Sequence, residues 1–113
     1  MLGNSGIEVS EIGFGTWGIG GTHSGAVGYG PTRDDDSIAA LHAALDQGVT
    51  FYDTAALYGY GHSEKLLGQA FKSKRDAVVI ATKAGFLNFE GDQDFSPAGV
   101  RKSLEQSLAR LQT

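Results

Sequence analysis

The sequence predicts an α/β fold in which three strands form a parallel sheet covered by helices. Three short apolar runs each precede a segment in which apolar residues recur at helical spacing, so strands and helices alternate along the 113 residues. Such alternation favours parallel strands joined by right-handed crossovers. The third run, Ala77 to Thr82, is apolar throughout, which is typical of a strand covered on both faces.

The composition indicates an ordinary globular domain, with 41% hydrophobic and 19% charged residues. A net charge of −4 provides no basic surface for nucleic acid or an anionic membrane. No segment approaches the roughly 20 apolar residues of a membrane span. The chain has no cysteine, and its first residues carry no secretory signal, so we expect a cytoplasmic protein without disulfides.

The first elements are a hairpin, a strand and a loop. Leu2 to Val9 is predicted to form a small hairpin that turns at Asn4-Ser5-Gly6. Ile12 to Trp17 is the first core strand, and a glycine-rich loop continues to Pro31.

Two helices follow with clear end signals. Thr32 is the predicted N-cap of the first helix, and Gly48 terminates it. Val49 to Asp53 is then the second strand, and the second helix spans about 62–72. The apolar residues that face inward from these two helices are Ile38, Leu41, Leu45, Leu67, Ala70 and Phe71.

A third helix begins at Ser96-Pro97, where serine caps and proline occupies the first helical position. Its apolar residues recur at helical spacing and are Val100, Leu104, Leu108 and Leu111.

Three residues with acid-base chemistry follow the ends of two buried strands. Asp53 and Tyr58 follow the second strand, and Lys83 follows the third. A tyrosine, with a pKa of ordinarily about 10, is a better general acid when an ammonium lies beside it. The alternative is structural: an aspartate that caps a turn, a tyrosine packed on the surface and a lysine in a salt bridge.

The combined pattern resembles the N-terminal signature of the aldo-keto reductases. The segments that carry the resemblance are Gly13-Phe14-Gly15-Thr16-Trp17, Asp53-Thr54-Ala55, Tyr58-Gly59, Gly61, Ser63-Glu64, Leu67-Gly68 and Ala81-Thr82-Lys83. They occur in the right order over essentially the whole chain. The resemblance implies a (β/α)8 TIM barrel closed at its bottom by an N-terminal hairpin.

The resemblance also implies NADPH-dependent reduction of an aldehyde or ketone, a small carbonyl substrate. Tyr58 would be the general acid, Lys83 would lower the pKa of Tyr58, and Asp53 would pair with Lys83. Gly15, Thr16 and Trp17 would line the nicotinamide end of the cofactor site. Asp53 would contact the nicotinamide ribose, and Trp17 and Tyr58 would face the substrate.

The chain departs from the family in length. A full barrel needs roughly 250 residues, and the family's catalytic histidine and most of its cofactor site lie beyond Thr113. We therefore expect residues 1–113 to be a single incomplete domain, truncated after the third helix. The alternative is a non-catalytic structural or interaction module; the sequence predicts no oligomeric state.

Two further patterns give weaker signals. The segment Gly13 to Gly18 spells the G-x-G-x-x-G dinucleotide fingerprint, but poor helix-forming sequence follows it, whereas a true fingerprint opens directly into a helix. The spacing of His23, His42 and His62 fits no compact ligand set, so we expect no metal site.

Overall fold

The computed structural model describes all 113 residues, and its elements alternate as the sequence predicts. The strands are β1 (Gly13–Gly15), β2 (Phe51–Asp53) and β3 (Val79–Ala81). The helices are α1 (Trp17–Gly20), α2 (Asp34–Asp46), α3 (His62–Phe71) and α4 (Pro97–Leu111). None of the helices combines the length and the apolar character that a membrane span requires.

The three strands form one parallel sheet in the order β1-β2-β3. The register places Gly15 beside Asp53 and Asp53 beside Ala81, so the carboxyl ends of all three strands lie level. Helix α3 packs between α2 and α4. The fold thereby collects every residue that follows a strand at one edge of the sheet.

The core lies between the sheet and the helices. It contains Leu41, Tyr52, Leu66, Leu67, Ala70, Phe71, Val78 and Leu111. The Tyr52 hydroxyl lies 3.0 Å from the Val49 carbonyl oxygen, and burial, with a smaller contribution from Asp46, raises the pKa of Tyr52. The prediction of inward-facing Leu67, Ala70 and Phe71 is confirmed, since all three are buried.

The signals at the ends of α4 and α2 give different outcomes. Ser96 caps α4 as predicted, because its hydroxyl oxygen accepts a hydrogen bond from the Gly99 amide at 3.0 Å. Gly48 follows α2 with a φ of 87°, which a residue with a side chain rarely adopts. The prediction that Thr32 caps α2 is wrong: Arg33 is the N-cap residue, and the Thr32 hydroxyl lies 3.4 Å from the Ile19 carbonyl.

The prediction of an N-terminal hairpin from Leu2 to Val9 is also wrong, because this segment contains no pair of strands. The chain does turn near Gly3 and Asn4, and the Leu2 amide donates to the Ile7 carbonyl oxygen at 2.8 Å. One such bond does not make a ladder, and most of this exposed segment has little core to pack against.

Two apolar patterns are less buried than the sequence predicts. All three residues of β3 are only partly buried, because the helices cover one face of the sheet. On α4, Val100, Leu104 and Leu108 are 39%, 50% and 40% exposed. The helix packs on α3 through Ser107 and Leu111 instead. This approach is close: a Cβ on Gly68 would lie 2.5 Å from the Arg110 carbonyl oxygen.

Candidate active site

The predicted acid-base residues come together at the carboxyl edge of the sheet. Asp53 is the last residue of β2, and Lys83 lies two residues beyond the end of β3. Tyr58 lies in the loop between β2 and α3. Because β2 and β3 are adjacent and parallel, the segments that follow them lie side by side.

Lys83 is the centre of this cluster. Its Nζ donates to Asp53 Oδ1 at 2.6 Å and to the Thr54 carbonyl oxygen at 2.9 Å. The Tyr58 hydroxyl lies 3.4 Å from the same nitrogen, which is also 5.1 Å from the centre of the tyrosine ring. An ammonium has three hydrogens, so these partners account for its whole donor capacity.

Opposing effects act on the charge of Lys83. Partial burial favours the neutral amine, but the hydrogen bond and negative charge of Asp53, aided by Tyr58, outweigh it and raise the pKa of Lys83 above its usual 10.5. Lys83 is therefore a cation throughout the neutral range. The geometry can stabilise negative charge that develops on the Tyr58 oxygen.

A buried chain of hydroxyl groups supports Asp53 from beneath. The Thr16 hydroxyl donates to the Asp53 carbonyl oxygen at 2.9 Å, and Ser63 donates to the Thr16 hydroxyl at 2.8 Å. Thr54 lies 3.0 Å from Ser63 and can donate to it, so each hydroxyl uses its one hydrogen. This chain links the ends of β1 and β2 to the first turn of α3.

The sequence did not predict that these hydroxyl groups form a hydrogen-bonded chain beneath Asp53. It grouped Thr16 with the cofactor-lining residues, whereas the structure buries Thr16 completely beneath Asp53. The only signal in the sequence was the presence of small hydroxylic residues directly after two strands and at the start of a helix.

A buried carboxylate fixes the segment before Lys83. Glu64 is 0% exposed, and its Oε1 accepts a hydrogen bond from the Thr82 hydroxyl at 2.6 Å. Its Oε2 accepts from Arg110 Nε at 2.5 Å. Glu64 therefore joins α3 to the end of β3 and to α4. The sequence signal was a glutamate adjacent to the apolar residues of α3, a charge that must find a partner when buried.

Gly15 and Trp17 form the other side of the site. Gly15 is exposed at the end of β1, and a Cβ placed there would meet no atom within 4 Å. The Trp17 ring lies 6.4 Å from the Tyr58 ring and 4.8 Å from the Tyr29 ring, and its Nε1 donates to the Val27 carbonyl oxygen at 3.0 Å. Tyr29, in the glycine-rich loop, was not predicted as a site residue.

This arrangement fits the nicotinamide end of a dinucleotide. The open space above Gly15 adjoins the Asp53 carboxylate, which is 44% exposed and can accept a hydrogen bond from a sugar hydroxyl. Trp17, two residues beyond Gly15, supplies a flat aromatic face 6.4 Å from the Tyr58 ring. The exposed Asp53 carboxylate and the open space at Gly15 therefore suit the part of the cofactor that the resemblance implies.

A small cavity of about 100 Å³ lies beside Tyr58 and Lys83. Its lining is mostly apolar and consists of Ala55, Leu57, Tyr58, Lys83, Ala84 and Phe86. Such a lining suits a compact organic molecule whose one polar atom approaches the tyrosine hydroxyl.

The G-x-G-x-x-G segment does not open into a long helix. A one-turn helix of four residues, α1, begins at Trp17 and was not predicted, but the chain leaves it at Gly21. The next α-helix begins at Asp34, as expected. The helix N-terminus that would hold a pyrophosphate in a dinucleotide fingerprint is therefore not built here.

Comparison with known proteins agrees with the geometry. The model of the Aldo/keto reductase family matches residues 11–113. Aldo-keto reductase YhdN of Bacillus subtilis is 45% identical over 99% of this chain and 34% of its own length. L-galactose dehydrogenase of Arabidopsis thaliana is 40% identical over 98% of this chain and 33% of its own length.

Solved structures give the same result for the fold. The holo form of aldo-keto reductase AKR11C1 from Bacillus halodurans matches all of this chain and 36% of its own, with a TM-score of 0.83 and 32% identity. An aldo-keto reductase from Klebsiella pneumoniae in complex with NADPH matches 93% of this chain and 32% of its own, with a TM-score of 0.69 and 35% identity.

These structural neighbours are TIM barrels, and the three parallel strand-helix units of this chain reproduce the N-terminal part of that architecture. The chain spans about a third of the length of the curated relatives that it matches. The family model covers nearly all of the chain. The chain belongs to the aldo/keto reductase family.

Proposed function

We propose that this chain supplies the proton-donating part of the active site of an NADPH-dependent reductase of aldehydes and ketones. The observation that carries the proposal is the position of Lys83 Nζ, 2.6 Å from Asp53 Oδ1 and 3.4 Å from the Tyr58 hydroxyl. Structural neighbours described in complex with NADPH and NADP support the choice of cofactor.

The proposed reaction adds a hydride to the carbonyl carbon and a proton to the carbonyl oxygen. A reduced nicotinamide cofactor bound beside Gly15 and Asp53 would supply this hydride. Tyr58 releases its proton to the substrate oxygen while the O–H bond of the phenol breaks. The Lys83 ammonium stabilises the resulting negative charge on the Tyr58 oxygen, and solvent later returns the proton.

The remaining residues bind and orient. Asp53 holds Lys83 in place and offers its free carboxylate edge to the nicotinamide ribose. Gly15 leaves room for the cofactor, Trp17 borders both cofactor and substrate, and Thr16 supports Asp53 from below. The hydroxyl chain and Glu64 keep these parts in position, because positioning errors as small as 1 Å weaken catalysis.

We test this proposal in the complete protein that contains these 113 residues. Carbonyl-dependent NADPH oxidation should fall by about 10² to 10⁴ in the Tyr58→Phe variant, because the phenyl ring has no proton to donate. Tyr60→Phe is the matched control: Tyr60 is exposed and packs on Phe89, so its loss should leave turnover within about twofold. Unchanged turnover in Tyr58→Phe would exclude Tyr58 as the general acid.

A second candidate function concerns the 113-residue chain by itself. The exposed apolar side chains of α4 and the open edges of β1 and β3 favour a non-catalytic module that associates through these surfaces. In this proposal residues 1–113 form one incomplete barrel domain. The cytoplasmic location expected from the sequence stays a prediction.

A further inference from the structure

Two histidines and an aspartate that are distant in sequence meet on the surface beside the active site. His23 follows α1, Asp34 begins α2, and His62 begins α3. One ligand atom from each lies within 4.8 Å of the other two. The His62 Nε2 atom lies 2.7 Å from Asp34 Oδ1, and the centres of the two histidine rings are 4.9 Å apart.

We propose that His23, Asp34 and His62 form a binding site for a divalent transition-metal ion such as Zn²⁺. Two imidazole nitrogens and one carboxylate oxygen are a donor set suited to Zn²⁺ and similar ions. Mg²⁺ and Ca²⁺ prefer shells made of oxygen atoms only. This site lies outside the proposed reductase machinery and does not depend on it.

The geometry needs little adjustment to hold an ion. Metal-ligand bonds of about 2.0–2.2 Å in a tetrahedral site place the ligand atoms about 3.3 Å apart. The ion would replace the proton between His62 Nε2 and Asp34 Oδ1, so these two atoms must separate from 2.7 Å to about 3.3 Å, and the His23 nitrogen must move inward. His23 is exposed and lies in a one-turn 3₁₀ helix with Ser24, whose φ of 55° marks an irregular backbone, so movement there disturbs little of the core.

The local charge favours a cation. Asp34, Asp35 and Asp36 place three carboxylates in the first turn of α2, and Arg33 is 3.4 Å from Asp36. The positive ends of α2 and α3 oppose a cation with about half an elementary charge each. Three carboxylates outweigh one arginine and these two helix ends, so the site is negative before the ion binds.

The site lies next to residues that shape the active site. His62 lies close to Gly59, which directly follows Tyr58. A Cβ added at Gly59 would lie 2.9 Å from the His62 Cβ and would overlap the Gly20 carbonyl group. His23 lies just beyond α1, which begins at Trp17. A metal ion would therefore join the segment that follows Trp17 to the segment that follows Tyr58.

This inference revises the expectation from sequence that the histidines hold no metal. Spacing argued against a shared ligand set. His42 lies outside the cluster, and its Nε2 lies 2.8 Å from the Ala70 carbonyl oxygen. The loop that follows β1 folds back onto the N-terminal ends of α2 and α3. This path places His23 next to His62, and no local sequence pattern predicts that contact.

The test uses the complete protein that contains this chain, prepared without a histidine tag. Zn²⁺ is titrated by calorimetry, and Co²⁺ is followed by its visible ligand-field absorption. We expect one equivalent of Zn²⁺ to bind, at least about tenfold more tightly than Mg²⁺. The variants His23→Asn and Asp34→Asn should each weaken Zn²⁺ binding by at least about tenfold.

Two matched controls separate ligation from general attraction. Asp35→Asn removes the same charge one residue away from Asp34, and His42→Asn removes a histidine outside the cluster. Both should keep the wild-type Zn²⁺ affinity within about threefold. Equal losses in Asp34→Asn and Asp35→Asn, unchanged affinity in His23→Asn, or no saturable Zn²⁺ binding to the wild type would each overturn the proposal.

Discussion

The Lys83 ammonium makes three polar contacts at the centre of the candidate active site. Its ammonium group satisfies a carboxylate, a backbone carbonyl and a phenol at once. Each contact restricts the position of the nitrogen, so the lysine acts as a fixed charge beside Tyr58. A fixed charge stabilises a developing anion better than a mobile one, because no reorganisation is needed during the reaction.

The ion pair between Lys83 and Asp53 makes a testable contribution that depends on pH. Because folding raises the pKa of Lys83, its stabilisation is fully present below the ordinary value of 10.5 and is lost as pH rises through the higher folded value. The side chains are 51% and 44% exposed, so solvent screening limits the effect to about 1 kcal/mol or less.

We therefore expect Asp53→Asn to lower the free energy of unfolding slightly at neutral pH and to approach the wild type in strong alkali. Chemical denaturation of both proteins from about pH 8 to about pH 11 measures this difference. Asp76→Asn is the control, since Asp76 forms no side-chain hydrogen bond or ion pair here. A difference that grows with rising pH would contradict the assigned direction.

At the scale of elements, α3 is the part of the fold on which the site depends. Its first turn provides Ser63 to the hydroxyl chain and Glu64 to the buried ion pair. Gly61, with a φ of 88°, precedes it and allows the chain to turn from the Tyr58 loop into the helix. Displacing α3 would therefore disturb the supports of Asp53 and Lys83 together.

The pair between Glu64 and Arg110 gives the prediction at this scale. Arg110→Met leaves the 0% exposed Glu64 carboxylate without its cation, which should destabilise the protein by about 3–5 kcal/mol. The double variant Glu64→Leu with Arg110→Met removes both charges and should be markedly more stable than Arg110→Met alone.

Equilibrium denaturation of the two single variants and the double variant measures this coupling. Arg101→Met is the control, because Arg101 lies exposed on the same helix. If the double variant were no more stable than Arg110→Met, the burial of an unpaired carboxylate would not be the cause of the loss.

Local signals predicted some elements and failed for others. Ser96, Pro97 and Gly48 act through bonds and torsions within a few residues, so their positions in sequence suffice. Thr32 carried the same type of signal. Its hydroxyl group instead lies 3.4 Å from the carbonyl oxygen of Ile19, in a distant segment. The predicted hairpin does not form, because two strands alone are only marginally stable without a surface to pack on.

At the scale of the whole fold, residues 1–113 present exposed surfaces that suit interaction with other chains. β1 and β3 are both edge strands, and β3 is only half-buried. Three neighbouring apolar side chains of α4, Val100, Leu104 and Leu108, face solvent. Open edges and contiguous apolar surface favour association with other chains.

We expect the isolated 113-residue chain to form soluble oligomers and to bind NADPH weakly. Light scattering coupled to size-exclusion chromatography measures its mass, and a fluorescence titration measures cofactor binding. The variant Leu104→Lys, Leu108→Lys should shift the chain toward monomers, whereas Lys65→Ala, an exposed change on α3, should not. A monomeric wild-type chain that binds NADPH tightly would contradict this expectation.

The sequence by itself determined the order of elements and the family, and it predicted the acid-base groups of the candidate site. Periodicity of apolar residues follows from helix and strand geometry, and Asp53, Tyr58 and Lys83 stand at fixed positions relative to the strand ends. The tertiary structure decided which groups meet. The burial of Thr16 and Glu64, the exposure of the α4 stripe, and the meeting of His23 with His62 all depend on packing between distant segments, which no local pattern encodes.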